Sequence, residues 1–239
     1  MILYPFVAGM SGRERGMTAD RWVAYGALLR RVHDTAVDDD LALLLRRDDF
    51  APEGVETIGR LDGHLGAYAG DDAAVRELAV FWRDHWPEIR ALLARTEELG
   101  RRLTRAAPPF VLCHADIHTA NVLLDGAGWV WFVDWDEAVL APRERDLMFA
   151  VGGIGAGWVG PDEEARFLKG YGDIAVDPLA LAYYRHAWAV SDIGAFGTEV
   201  CFRPDLGPAT RRAAAESLTA LFRPGEIVAL ARVAVAGLA

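Results

Sequence analysis

Apolar positions recur with a helical period over most of the chain and with a strand-like period over only a few short runs. From Thr18, a suitable N-cap, Trp22, Tyr25, Gly26, Leu29, Val32 and His33 fall on one helical face. A histidine on such a face reads as a hydrogen-bonded core residue before it reads as a ligand. Asp71 caps a predicted helix to about Trp86, striped by Val75, Leu78, Ala79, Trp82 and Trp86, and Pro87 opens a second one to about Arg105 through Ile89, Leu92, Leu93 and Leu99. Pro142 to Asp146 lead into an apolar helix start at Leu147-Met148-Phe149. Pro161 with Asp162, Glu163 and Glu164 marks another start, since acidic residues suit the first turn. Asp177-Pro178 opens a helix to about Phe196, and a last pair, 207–222 and 225–237, divides at Pro224-Gly225. Ile2 to Phe6 reads as a short strand followed by a glycine-bearing loop to Gly16, and residues 48–70, with Pro52 and five glycines, carry no periodic pattern.

One stretch breaks these rhythms with chemistry. Phe110 to Cys113 is apolar, His114, Asp116, His118 and Asn121 are polar, and Val122 to Leu124 are apolar again. The chain then reverses over Asp125-Gly126-Ala127-Gly128, and Trp129 to Val133 lead to Asp134 and Asp136. The pattern predicts strand, loop and hairpin, with carboxylates at the strand ends. If the loop folds beside the hairpin, the oxygen donors Asn121 and Asp134 meet at one point and suit Mg²⁺, which takes its other ligands from water and substrate phosphate. Asp116 then lies where an acceptor hydroxyl needs a proton-accepting carboxylate, which is the set that phosphoryl transfer asks for. His118 reads as loop packing or substrate-side surface, and Asp136 and Glu137 equally as polar strand ends. A zinc site on His114 and His118 lacks a third nearby ligand.

Composition narrows the partners. The 239 residues are 52% hydrophobic with a net charge of −10, which excludes a disordered chain and argues against nucleic acid. An acidic surface attracts a cationic small molecule, and is equally common in ordinary soluble proteins. Cys113 and Cys201 lack metal-site spacing and are expected reduced and buried. The longest apolar run, Leu147 to Gly160, is too short and glycine-rich to span a bilayer, and no signal peptide is visible, so a cytoplasmic location and no membrane partner are expected.

The lines HADIHTAN and VDWDEA resemble the catalytic loop and metal-binding aspartate of the aminoglycoside phosphotransferase/choline kinase family, and DIHTANVLLD…VDWDEAVLAPRERDLMF resembles its spectinomycin-phosphorylating branch. The resemblance implies Asp116 as catalytic base and Asn121 and Asp134 as ligands of Mg²⁺, with ATP as co-substrate. It makes His114 a structural residue of the loop and Asp146 an aspartate that braces the loop through backbone N–H groups, and it places Leu123 and Val133 near adenine. The implied fold is α+β and mostly helical, the C-terminal lobe of a protein-kinase-like fold with a short catalytic-loop β-hairpin. Residues 1–9 would be the remnant of the last N-lobe strand and hinge, and 10–239 the helical lobe with its catalytic loop at 110–136.

That resemblance also implies an N-terminal lobe, with a strand lysine pairing the phosphates, before this chain's first residue. The only lysine here, Lys169, falls on a predicted helix. Two functions are therefore expected: ATP- and Mg²⁺-dependent phosphorylation of a hydroxyl on a small, cationic, aminoglycoside- or aminocyclitol-like molecule, or a truncated, catalytically inactive lobe that is either a ligand- or partner-binding module or a gene remnant. Fructosamines, choline-like alcohols, amino-alcohols and macrolide sugars are further acceptors in the family. A bare hinge-side surface would favour self-association, and the 239 residues alone are expected to transfer no measurable phosphate from ATP to spectinomycin.

Overall fold

The computed structural model describes residues 6–236; Met1–Pro5, most of the expected Ile2–Phe6 strand, lie outside them. In chain order the elements are β1 (Gly9–Ser11), α1 (Gly12–Arg15), α2 (Ala19–His33), α3 (Asp39–Leu44), β2 (Arg46–Arg47), α4 (Val55–Gly66), α5 (Ala73–Ala106), β3 (Val111–Cys113), β4 (Val122–Asp125), β5 (Val130–Phe132), β6 (Val139–Ala141), α6 (Glu144–Leu147), α7 (Pro161–Tyr171), α8 (Pro178–Phe202), α9 (Pro208–Ala220) and α10 (Ile227–Ala236). They fall into two compact units, one of residues 1–48 and 108–177, the other of 49–107 and 178–239.

The first unit holds both small sheets. One has the order β1-β4-β5, all antiparallel, with Val122 opposite Phe132 and Leu124 opposite Val130. The β4–β5 turn is fixed by Asp125, whose Oδ1 accepts the N–H groups of Ala127 and Trp129 while Oδ2 accepts Trp131 Nε1–H. The Trp131 bond, with the backbone N–H groups, holds the Asp125 carboxyl below its usual range. The other sheet has the order β2-β6-β3, with β3 antiparallel and β2 parallel to β6.

Beside these sheets α2 packs on α7. Thr18 caps α2 as the pattern predicts, its hydroxyl accepting from Arg21 N–H. The buried stripe Trp22, Tyr25, Leu29 and His33 faces Phe167 and Tyr171. The helices cross at two glycines: a Cβ on Gly26 would land on Phe167 O, and one on Gly170 on Val23 O. Backbone oxygens cannot swing aside, so Gly170→Ala forces the helices apart. We expect it to cost about 3 kcal/mol despite alanine's better helix propensity, read as a lower urea midpoint at unchanged slope.

The second unit is helical, and here the pattern misled in three places. Residues 48–70 contain α4, whose Ile58, Leu61 and Leu65 are fully buried; three helical glycines masked the stripe. The expected break at Pro87 does not occur. Instead α5 is one helix of 34 residues, capped by Asp72 rather than Asp71, because the stripes on either side of Pro87 form one continuous buried face from Val75 to Leu103. Helix α8 runs past Phe196 to Phe202, with Gly197 making room for Leu61. In the first unit the glycine-bearing loop to Gly16 contains β1 and α1, and the turn expected from Leu147 lies earlier, at α6.

His186 of α8 titrates with folding. It is 2% exposed, its Nδ1–H donates to Ala182 O at 2.8 Å, and burial, with a contribution from Arg95, lowers its pKa from 6.5 to about 4. The folded state thus holds the neutral ring while the unfolded state takes up a proton. This stability is present above pH 6.5 and is lost as pH falls toward 4, by about 3 kcal/mol. Urea midpoints across that window should fall in the wild type and fall less in His186→Phe.

Candidate active site

The polar stretch forms one cluster inside the first unit. After β3 the chain enters the loop 114–121 at His114, which is fully buried. His114 Nε2 lies 2.8 Å from Val133 O, and Nδ1 accepts the Asp116 N–H at 3.3 Å. A carbonyl can only accept, so the proton sits on Nε2. The ring packs against Trp135 at 4.6 Å and so ties the loop to the segment after β5. Ala115, 1% exposed, has φ 72°, and Asp134 has φ 67°. Both are left-handed positions held by a non-glycine residue, a conformation that costs about 1–3 kcal/mol and that its surroundings must enforce.

Asp146 of α6 supplies much of that enforcement. It is fully buried, with Oδ2 accepting the His114 N–H at 2.8 Å and Oδ1 the Ala115 N–H at 2.7 Å. His33 Nε2 lies 3.1 Å from the same Oδ2, and His33 Nδ1 is 2.6 Å from Tyr171 Oη. Tyr25, also on α2, donates its hydroxyl to Ile117 O at 2.5 Å. Helix α2 therefore holds the loop directly through Tyr25 and, by way of Asp146, through His33. Periodicity showed Tyr25 and His33 as core-facing but held no sign that their polar atoms reach the loop and the aspartate that braces it.

Asp116 lies half-buried at the loop's centre. Its Oδ2 accepts Asn121 Nδ2–H at 2.9 Å, and the same amide nitrogen donates to Asp116 O at 2.7 Å. Both partners are acceptors, which fixes the amide's orientation and leaves Asn121 Oδ1 unspent. Asp116 Oδ1 is buried without a hydrogen-bond partner among the described residues, 3.4 Å from His118 Nε2. Burial raises the Asp116 carboxyl above the usual range. His118, His114 and the Asn121 bond oppose this, and the Asp134 charge adds to it.

The other expected residues take these places. Asp134 is exposed just beyond β5, and the bond from Val133 N–H to Asn121 O at 3.1 Å ties the two segments together. Leu123 is half-buried on the face of β4 opposite the buried Val122 and Leu124, with Trp131 as its register partner, and Val133 is half-buried. Arg13 lies over the Trp158 ring at 4.1 Å, and His118 is 5.5 Å from the same ring. Nothing in the sequence linked these three.

Two groupings come into question for a metal. Asn121 Oδ1 and the exposed Asp134 carboxylate are hard oxygen donors that accept no hydrogen bond among the described residues, the donor type that Mg²⁺ takes. The ligand atoms of His33, Cys113 and Asp146 lie within 4.8 Å of one another, but they do not fit a metal. Both Asp146 oxygens already accept hydrogen bonds. Cys113 Sγ faces the carbonyls of Ala141 and Pro142, and burial pushes its thiol well above the ordinary value. This is a hydrogen-bonded core.

Residues 1–186 match the phosphotransferase enzyme family (APH). A structure of spectinomycin phosphotransferase with ADP and spectinomycin matches 97% of this chain and 70% of that one, at 32% identity and a TM-score of 0.85. Streptomycin 3''-kinase from Streptomyces griseus is 36% identical over 104 residues, 40% of this chain and 37% of that protein, so the matched segment spans little more than a third of it. An ethanolamine kinase from Plasmodium vivax shares the fold at a TM-score of 0.62 and 18% identity, over 96% of this chain and 65% of that one. No helix among the described residues is long and apolar enough to cross a membrane. With a kinase-like phosphotransferase fold and a family match over three quarters of its length, the chain belongs to the phosphotransferase enzyme family.

Proposed function

We propose that this chain transfers the γ-phosphoryl group of ATP, with Mg²⁺, to a hydroxyl of a small amine-bearing molecule, an aminocyclitol such as spectinomycin being the first candidate. The observation that carries the reading is Asp116: one carboxylate oxygen is pinned by Asn121, and the other, 3.4 Å from His118 Nε2, is buried and accepts no hydrogen bond among the described residues. A buried oxygen in that state calls for a partner, and an acceptor hydroxyl supplies one. Asp116 orients that hydroxyl and takes its proton as the oxygen attacks the γ-phosphorus, the bond to the β-phosphate breaks, and ADP leaves. Asn121 and Asp134 would hold the metal, which neutralises charge on the phosphates when bound. Asp146 keeps the loop backbone in place for this geometry. Leu123 and Val133 are assigned to the adenine side, residues 1–9 to the hinge and 10–239 to the helical lobe. Nucleotide use is supported by the ADP and AMP complexes of spectinomycin phosphotransferase. The net charge of −10 suits a cationic acceptor, and ATP consumption suits the cytoplasm.

A second reading, binding without transfer, is favoured by one observation. Lys169, the only lysine of these 239 residues, is exposed on helix α7 rather than placed on a strand beside the phosphates. Incubation with [γ-³²P]ATP, Mg²⁺ and spectinomycin separates the two. Label on the acceptor from the wild type and not from Asp116→Asn supports transfer. Mg²⁺-dependent ADP binding without label supports the second reading, and neither binding nor label overturns both.

A further inference from the structure

We propose that His33 is a positioning residue for the transfer step, acting through Asp146 on the backbone that carries Asp116; this rests on the reading of Asp116 given above. The chain of contacts runs through buried groups on three separate elements. Tyr171 of α7 lies 2.6 Å from His33 Nδ1, and His33 Nε2 lies 3.1 Å from Asp146 Oδ2. The same Asp146 oxygen holds the His114 N–H, and its other oxygen holds the Ala115 N–H. His33 is 6% exposed, Tyr171 2% and Asp146 0%.

The direction of each bond follows from what each group can give. Burial pushes the Tyr171 hydroxyl up to about 12, against the opposing charges of Arg143 and Arg30, so it keeps its proton. That leaves the Tyr171 O–H to donate to His33 Nδ1, and the Nε2–H to donate to the carboxylate. Asp146 thus receives three donors, two from loop backbone and one from α2. Without the third, the carboxylate can rotate about its side chain and need not keep both oxygens on consecutive amides. With it, the carboxylate plane is fixed, and so is the left-handed turn at Ala115 (φ 72°) that immediately precedes Asp116.

The role is read by hydrogen exchange of individual amides in the 239-residue chain, which needs no turnover. In His33→Ala, protection of the His114 and Ala115 amides should fall about 10- to 100-fold relative to amides of the α2–α7 core such as Leu29 and Phe167, the range for losing a hydrogen bond to a charged acceptor. In His33→Gln, whose amide N–H can reach the position of Nε2–H, that ratio should return to within about threefold of wild type. Tyr171→Phe, which keeps the ring and guards against a His33 variant that fails to fold, should lower the ratio about 3- to 10-fold. Leu29→Ala, a buried truncation on the same helix, should lower all these amides together and leave the ratio unchanged. An unchanged ratio in His33→Ala and Tyr171→Phe, or a ratio that falls as far in Leu29→Ala, overturns the proposal. These outcomes are independent of the labelled-phosphate experiment, so a failure here and a failure of the phosphotransferase reading are told apart.

Discussion

Replacing Asp146 by alanine should lower the stability of the chain by about 3–5 kcal/mol, among the largest costs a single side chain here can carry. The substitution leaves three buried donors without an acceptor: the N–H groups of His114 and Ala115 and the Nε2–H of His33. Each orphaned buried donor costs about 1–3 kcal/mol, and water reaches the site only if the packing opens. The left-handed backbone at Ala115 also loses the anchor that enforces it. Urea unfolding measures the first effect. Exchange of the 114 and 115 amides measures the second, and it should persist in conditions where the variant is still folded. An Asp146→Ala variant within about 1 kcal/mol of wild type would show that the loop is held elsewhere.

Asp116→Asn should behave in the opposite way. The side chain is half-buried and nearly isosteric with its replacement, and Asn121 can turn its amide to keep one hydrogen bond, so stability should change by less than about 1 kcal/mol. Transfer to the acceptor should fall about 10²- to 10⁴-fold, the usual contribution of a positioned proton acceptor. Affinity for ADP and Mg²⁺ should stay within about threefold, because Asp116 acts on the hydroxyl rather than on the nucleotide. A loss in kcat with nucleotide affinity retained is the signature to look for. Equal losses in both would place Asp116 among the nucleotide contacts instead.

The two substitutions also mark what the sequence could and could not convey. The 114–136 segment was legible because its polar residues interrupt apolar runs at short, fixed spacings within a strand, a loop and a hairpin. Asp116, Asn121 and the β4–β5 turn all lie within that one local unit. The bonds that hold the unit in place are non-local: Tyr25 reaches Ile117 across 92 residues, and His33 reaches Asp146 across 113. A helical stripe reveals which face is buried, but not that a polar atom on it has a distant partner. The helix boundaries failed for a related reason. Pro87 and the glycines of α4 are local breakers, and the continuous buried faces that override them exist only once the second unit has assembled. The α2–α7 crossing at Gly26 and Gly170 was equally invisible, since a glycine in a helical pattern does not announce which backbone will approach it.

At the centre of the proposed function, Asn121 and Asp134 would together hold a divalent cation beside Asp116. Mn²⁺ replaces Mg²⁺ at oxygen sites and broadens the NMR signals of nuclei near it, so adding Mn²⁺ with ADP to the isotope-labelled chain tests the claim without relying on turnover. The account predicts that the amide signals of Asp116, Asn121, Val133 and Asp134 broaden first, and that Asp134→Ala abolishes the effect while leaving the rest of the spectrum unchanged. Broadening centred on another part of the chain, or broadening at Asn121 that survives Asp134→Ala, would contradict it.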